Sequence, residues 1–331
     1  LEFRRVLFRS ILKKSYLGNW ETREDNANIE EKLLTAYLSR RGYTDKEIRS
    51  SIVKLKQSAN SLGGGLYNAN KEVYTFLRYG VNIQAEVTEK KKMVHLIDWA
   101  NPMENDFQIA EEVTIQGASD RRPDLVVYVN GIALAVIELK RSTVSAHEGI
   151  RQNIRNQQDG YIPRFFTTIQ LLFAGNDTEG LHYGVIKTPE KFWLRWKEPC
   201  GEPCQPSHFT AKEYPNELDR SVLQFFEPVR LLEYIHDFII FDGGIKKTAR
   251  PNQYFAVKAA QPRVRKKQNG IIWHSQGSGK SLTMVWLAQW IRENVSDARV
   301  VIITDRDELD KQIESGFKDV GEQIQRAKSG G

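Results

Sequence analysis

The 331 residues are 40% hydrophobic, enough for two domains with real cores, and carry 48 Lys plus Arg against 42 Asp plus Glu, a net charge of +6. No apolar run is long enough to cross a bilayer and nothing after residue 10 has the order of a secretory signal, so a cytoplasmic protein is expected. Two cysteines, Cys200 and Cys204, are too few for a disulfide framework, and the modest basic excess tilts toward polyanionic partners such as nucleic acid.

The first ten residues, LEFRRVLFRS, lack an initiator Met and read poorly as a domain start; they are taken as an artificial or sequence-assembly scar. Between Asn28 and Arg41, Ile29, Leu33, Leu34, Tyr37 and Leu38 recur at helical spacing and Gly42 follows as a stop, which predicts an amphipathic opening helix. A second helix is predicted from Asp45 to Asn60. Gly63 to Gly65 then break the chain, and the β-branched and aromatic content of EVYTFLRYGVNIQAEV and KKMVHLID predicts strands. Two apolar runs joined by Asn130-Gly131 follow as a hairpin. After Ser142 a helix is expected through VSAHEGIRQNIRNQQDGYIPRFF, and TIQLLFAGN reads as a buried strand, so the segment is mixed α/β.

Residues 197–216 are rich in Pro and poor in apolar side chains, a loop or insertion. Within it Cys200, Cys204 and His208 recur at four-residue intervals, but three ligands fall short of a structural zinc set. Helices resume in ELDRSVLQFFEPVRLLEYIHDFII. A boundary is expected between Asp242-Gly243-Gly244 and Arg250, dividing the chain into domains 11–245 and 246–331. Past it come a helix around Gln253 to Ala260, a basic loop, a strand IIWHS, a glycine loop, a helix SLTMVWLAQWIREN and a strand RVVIITD, the start of a doubly wound α/β unit. No internal repeat is present.

The glycine loop carries the clearest chemistry. HSQGSGKS lies between a predicted strand and a predicted helix, the context in which backbone N–H groups of Gly277, Ser278 and Gly279 curl around phosphate oxygens. Lys280 would reach the β/γ-phosphates and Ser281 would ligate Mg²⁺. The general motif has Gly five places before Gly279, where this chain has His274; superfamily-2 helicases keep only the glycines nearer the Lys, as Gly277 and Gly279 do here. Gln253 in ARPNQYFAV resembles the glutamine motif of those helicases, which reads adenine, and VVIITDRDELDKQ resembles their next motif, which touches the DNA backbone. The chain ends at Gly331 before any Walker-B acid or arginine finger, so ATP binding without hydrolysis by this polypeptide alone is expected.

The hairpin RPDLVVYVNGIALAVIELK raises a different question, because charges interrupt strands otherwise fit for burial. Phosphodiester hydrolysis needs Mg²⁺ held by a few oxygens and a cation near the attacking water or the scissile phosphate. Asp124 and Glu138 supply the metal-binding carboxylates, Lys140 the cation, and the Leu139 carbonyl a possible further ligand. Glu138 and Lys140, two apart on one strand, project from the same face. With a plain two-residue turn, however, Val129 would face Ile132 and Asp124 would stand opposite Ile137, on the wrong face. A three-residue loop or a β-bulge is therefore predicted between Asp124 and Glu138.

Pro-Asp, a spacer and Glu-x-Lys resemble the PD-(D/E)xK nucleases. In one subfamily of these an accessory Q-x-x-x-Y motif follows, matched here by Gln157 and Tyr161 on one expected helical face, and an extra acid lies on the opening helix, matched by Glu30 or Glu31, with Glu31 preferred as a metal ligand. Arg151 and Arg155 are further candidates for phosphate contact, against the alternative of a solvated face. A PD-(D/E)xK mixed sheet flanked by helices, followed by the start of a RecA-like superfamily-2 helicase motor, resembles the R subunit of type I restriction-modification enzymes. The order of the domains separates it from type III subunits, where the nuclease follows the motor. The resemblance implies double-stranded DNA as substrate, Mg²⁺ and ATP as cofactors, and assembly with modification and specificity subunits, the partner subunit binding S-adenosylmethionine. It also implies ATP-driven translocation and cleavage far from the recognition site. A nuclease-like docking module without catalysis, and a repair helicase-nuclease outside restriction, are the competing readings.

Overall fold

The computed structural model describes residues 15–84, 91–199 and 216–303. By compactness the chain divides into two units, 1–235 and 236–331. Among the described residues no helix is long and apolar enough to cross a membrane.

The first unit opens with strand β1 (Ser15–Asn19) and three helices, α1 (Glu31–Arg40), α2 (Asp45–Asn60) and α3 (Gly65–Tyr79). A capping box starts α2: Thr44 Oγ1 accepts from Glu47 N, and the Glu47 carboxylate accepts from Thr44 N. The expected strand EVYTFLRYG is instead the second half of α3. Leu66, Ala69, Asn70, Val73, Tyr74 and Leu77 are its buried face, three and four apart, so the period outweighs the β-branched and aromatic composition. Among the described residues only the short antiparallel pair β2 (Val81–Ile83) and β3 (Lys92–Val94) remains of the predicted run of strands there.

The central sheet is built from β4 (Phe107–Glu111), β5 (Leu125–Val129), β6 (Ile132–Leu139), β7 (Leu171–Asn176), β8 (Gly180–Gly184) and β9 (Leu194–Arg195), with β1 at one edge. Its order is β1-β4-β5-β6-β7-β8-β9, parallel at β1·β4 and β6·β7 and antiparallel elsewhere. Parallel neighbours need a crossover, and α4 (Ala146–Asn156) supplies it between β6 and β7. All of β4, β5 and β7 is buried, which explains runs such as LVVYV that show no polar alternation. One face packs Val126, Tyr128, Val136 and Leu172 with Ile150 of α4. The other packs aromatic side chains with helices α5 (Glu217–Phe225) and α6 (Pro228–Asp237), where Phe173 and Phe226 lie 4.6 Å apart by ring centroid and Trp196 and Phe225 4.7 Å.

In the second unit β10 (Ile239–Asp242) and β11 (Ile245–Thr248) form a hairpin around Gly243 and Gly244, followed by α7 (Pro251–Arg265) and α8 (Lys280–Asn294). The two helices match expectation. The strands do not: residues 271–275 and 299–303 are not in strands, and Ile271, Trp273 and Ile303 are each 90% exposed. Central strands of a parallel sheet are held by hydrogen bonds from both sides and by helices on both faces, and among the described residues no strand pairs with these two segments. Cys200, Cys204 and His208 lie outside the described residues, as does most of VVIITDRDELDKQ.

Candidate active site

The β5–β6 hairpin resolves the conflict between a tight turn and the placing of its charges. Asn130 (φ 54°) and Gly131 (φ 80°) both adopt left-handed backbone, as a two-residue type I′ turn requires. The Asn130 side chain secures that turn from within: Nδ2 donates to Leu96 O at 2.9 Å and Asn105 Oδ1 at 2.8 Å, while Oδ1 accepts from Asp106 N at 2.8 Å. Val129 faces Ile132 and Tyr128 faces Ala133, but Val127 faces Ala135. Leu134 is therefore an extra residue, a β-bulge inside β6. The shifted register pairs Leu125 with Ile137 and so carries Asp124 alongside Glu138, on one face.

The expected site side chains Asp124, Glu138 and Lys140 meet at that end of the hairpin. Leu139 N donates to Asp124 Oδ2 at 2.7 Å, which ties the two strand ends together. Lys140 Nζ lies 3.8 Å from Glu138 Oε2 and 4.0 Å from Asp124 Oδ2, and donates to Gln152 Oε1 of α4 at 2.8 Å. Gly149 of the same helix allows this close packing, since a Cβ there would lie 3.2 Å from Glu138 Cβ. Glu138 is 0% exposed and neither of its carboxylate oxygens accepts a hydrogen bond from an N–H or hydroxyl donor among the described residues. Burial, and then the neighbouring Asp124 charge, hold its pKa well above the usual carboxylate range, with Lys140 offsetting part of the effect. Two unmet buried oxygens beside a second carboxylate form a set of hard donors that a divalent cation such as Mg²⁺ would satisfy.

In the second unit, Gly277 (φ 76°) and Gly279 (φ 86°) supply the left-handed backbone that curls the glycine loop onto the start of α8. Lys280 Nζ spans the loop, donating to His274 O at 3.2 Å and Ser275 O at 3.3 Å. Beside it is a concavity of about 530 Å³ lined by Arg250, Asn252, Trp273 and Gln276 among others. Gln253 is buried at 2% exposure: its Oε1 accepts from Arg250 N and its Nε2 donates to Gly279 O, both at 2.8 Å. Here the expected adenine reader braces the loop, both ends of its amide being engaged by backbone.

Residues 6–191 match the model of the family described as type I restriction enzyme R protein N terminus. This span contains the whole hairpin and covers more than half of the chain. The chain belongs to the type I restriction enzyme R protein N-terminus family. Residues 252–331, with the glycine loop, match the SWI2/SNF2 ATPase family. Among curated proteins the chain is 27% identical, over 84% of its length, to the putative type I restriction enzyme MjaIXP endonuclease subunit of Methanocaldococcus jannaschii, covering 29% of that protein. It is 27% identical, over 80% of its length, to the type I restriction enzyme HindI endonuclease subunit of Haemophilus influenzae, covering 26% of it. A third relative, the SsaAORF53P endonuclease subunit of Staphylococcus saprophyticus, is 28% identical over 69% of the chain and 24% of its own length. The chain thus spans less than a third of each of these relatives.

In this member of the R-protein family, several expected site residues stand away from the carboxylates. Glu31 is exposed and pairs with Lys56, while Glu30 is clamped by Arg23 through bonds of 3.0 and 2.6 Å. Both sit at the turn end of the hairpin, where Glu30 N donates to Gly131 O; the six strand residues from there to Glu138 span roughly 20 Å. Gln157 and Tyr161 do not share a helical face, because α4 ends at Asn156 and the Asp159-Gly160 turn redirects the chain toward Pro163. Gln157 joins Asn153 O to Lys187 N, and the Tyr161 ring lies under the Arg121 guanidinium at 4.1 Å. Arg151 is held by Glu148 and Glu190. The glutamine that reaches the site is Gln152, one turn after Gly149. The available signal was direction: a crossover helix runs back along its strand, so its middle, not its end, overlies Lys140.

Proposed function

We propose that the chain is the N-terminal part of a type I restriction R subunit, whose first unit is a PD-(D/E)xK nuclease and whose second opens a RecA-like, ATP-driven translocase motor. One observation carries the nuclease reading: Glu138 is a fully buried carboxylate with both oxygens unmet, in register with Asp124 and 3.8 Å from the Lys140 ammonium. Asp124 and Glu138 would hold Mg²⁺, which when bound neutralises phosphate charge and lowers the pKa of water. Lys140, directed by Gln152, would orient the attacking water and stabilise the charge that builds on the phosphate oxygens. The substrate in this reading is double-stranded DNA, and the working partners are the modification and specificity subunits of a cytoplasmic complex; the relatives, named as endonuclease subunits of type I restriction enzymes, support a nuclease within a multi-subunit enzyme.

In the second unit the N–H groups of Gly277, Ser278 and Gly279, with Lys280 and Ser281, would bind the phosphates of Mg²⁺-ATP at the start of α8. Lys280→Ala is expected to weaken the binding of a fluorescent ATP analogue at least tenfold, without changing DNA nicking; unaltered nucleotide binding would remove the phosphate-loop assignment. The nuclease reading is tested by nicking of supercoiled plasmid with Mg²⁺ at high protein concentration. Lys140→Ala should slow it about a hundredfold. Equal nicking by both proteins would leave a docking module without catalysis.

A further inference from the structure

One residue beyond β4, Glu112 stands in left-handed backbone at φ 49°, uncommon for a residue other than glycine. Its N–H donates to Asp124 O at 2.9 Å, continuing the β4–β5 ladder past the Glu111–Leu125 pair and setting Glu112 beside Asp124. Two residues earlier Ala110 packs with Val126 and Val136 on the α4 side of the sheet, the side that also carries Asp124 and Glu138. Glu112 and Asp124 thus stand side by side at the ends of β4 and β5, next to Glu138 on β6, as a row of acids. The Glu112 charge reaches the buried Glu138 carboxyl, adding to the effects of burial and Asp124.

Glu112 is engaged from the solvent side. Its Oε2 lies 2.9 Å from Arg122 Nε, and the same guanidinium pairs with Glu21. Arg122 stands two residues before Asp124 with 46% of its side chain exposed. The Glu112 side chain is 22% exposed, so the pair is open to solvent chiefly on its Arg122 side, where water screens it.

We propose that Glu112 is a third carboxylate of the cation site and that Arg122 masks it until a divalent cation binds. The inference rests on the nuclease reading. The unmet Glu138 oxygens supply the demand for a cation, and Glu112 is the next acid along the same row. When Glu112 turns to the ion, the Arg122 guanidinium keeps only its exposed Glu21 partner and can exchange it for a DNA phosphate beside Asp124, in a forked pair of hydrogen bonds. Cation loading and phosphate capture become one exchange of partners.

The test is Mn²⁺ affinity of the 331-residue chain at pH 8, read by electron paramagnetic resonance without DNA. Glu112→Gln should weaken binding about tenfold, and Arg122→Gln should tighten it several-fold. In the Glu112→Gln background Arg122→Gln should add nothing, since a mask acts only through what it covers. Glu112→Asn, a residue that tolerates left-handed backbone, should weaken binding as Glu112→Gln does, guarding against a folding defect. Wild-type affinity in both Glu112 variants overturns the proposal, as does an undiminished Arg122→Gln effect in the double variant. Glu138→Gln separates the levels. If it abolishes binding while the Glu112 variants do not, only the third carboxylate fails; if it too leaves affinity unchanged, the nuclease reading fails with it.

Discussion

Glu138→Gln is expected to lower DNA cleavage by the full-length enzyme about 10³-fold while making the metal-free chain more stable. The loss follows from chemistry, because a carboxamide keeps the shape but not the charge that holds a cation. The gain follows from burial. The Glu138 pKa is raised above its ordinary 4.5, chiefly by desolvation and then by Asp124. A carboxyl whose folded-state pKa exceeds its unfolded value binds its proton more tightly when folded. Its contribution is therefore complete below about pH 4.5 and is lost as pH rises through the folded-state pKa. Metal-free wild-type protein should lose stability across that window, whereas Glu138→Gln should lack this component. At pH 8 the variant should be more stable by about 1–3 kcal/mol, and Mg²⁺ should narrow the gap by stabilising only the wild type. Urea midpoints at pH 5 and pH 8, with and without Mg²⁺, give the comparison. A gap of the same size at both pH values would mean that Glu138 is not a strained buried acid.

The second large effect is expected at the turn. Gly131→Ala should destabilise the first unit by about 3 kcal/mol or more, for two separable reasons. At φ 80° any side chain is strained, and a Cβ there would lie 2.7 Å from Leu33 Cβ, 2.8 Å from Glu30 O and 2.8 Å from Leu34 N. Two of these atoms belong to the backbone at the start of α1, which cannot give way without losing the bond from Glu30 N to Gly131 O. Gly42→Ala isolates the first reason. Its φ is 83° but nothing lies within 4 Å of the added carbon, so it should cost only about 1 kcal/mol. Equal costs at the two glycines, measured by urea unfolding, would show that the turn is not wedged against α1.

That wedge also explains why the opening helix misleads in one dimension. Its residues announce a helix correctly, and Leu34, Tyr37 and Leu38 are buried as their spacing requires. Spacing cannot say which end of a distant hairpin the helix approaches. Glu31 consequently stands at the turn, remote from Glu138 despite matching an acidic position by order along the chain. The α3 segment failed differently: EVYTFLRYG has the composition of a strand and the three-and-four period of a helix, and packing followed the period.

The sequence by itself determined the chemistry on offer. Pro-Asp with Glu-x-Lys, and a glycine loop ending in Gly279-Lys280-Ser281, are local patterns, as are the apolar runs that mark strands buried on both faces. It also required a break in register, since a two-residue Asn-Gly turn and facing carboxylates are incompatible without one. The tertiary structure alone decided where that break falls. IALAVIEL is nearly uniform in hydrophobicity, so no residue in it marks the extra position; Leu134 takes it because β5 and β6 pair that way. Gln152, not Gln157, reaching Lys140, and the segments 271–275 and 299–303 that pair with no strand among the described residues, have the same origin. Residue spacing is a property of one strand or helix, whereas the direction a side chain faces depends on the neighbour that accepts its backbone hydrogen bonds.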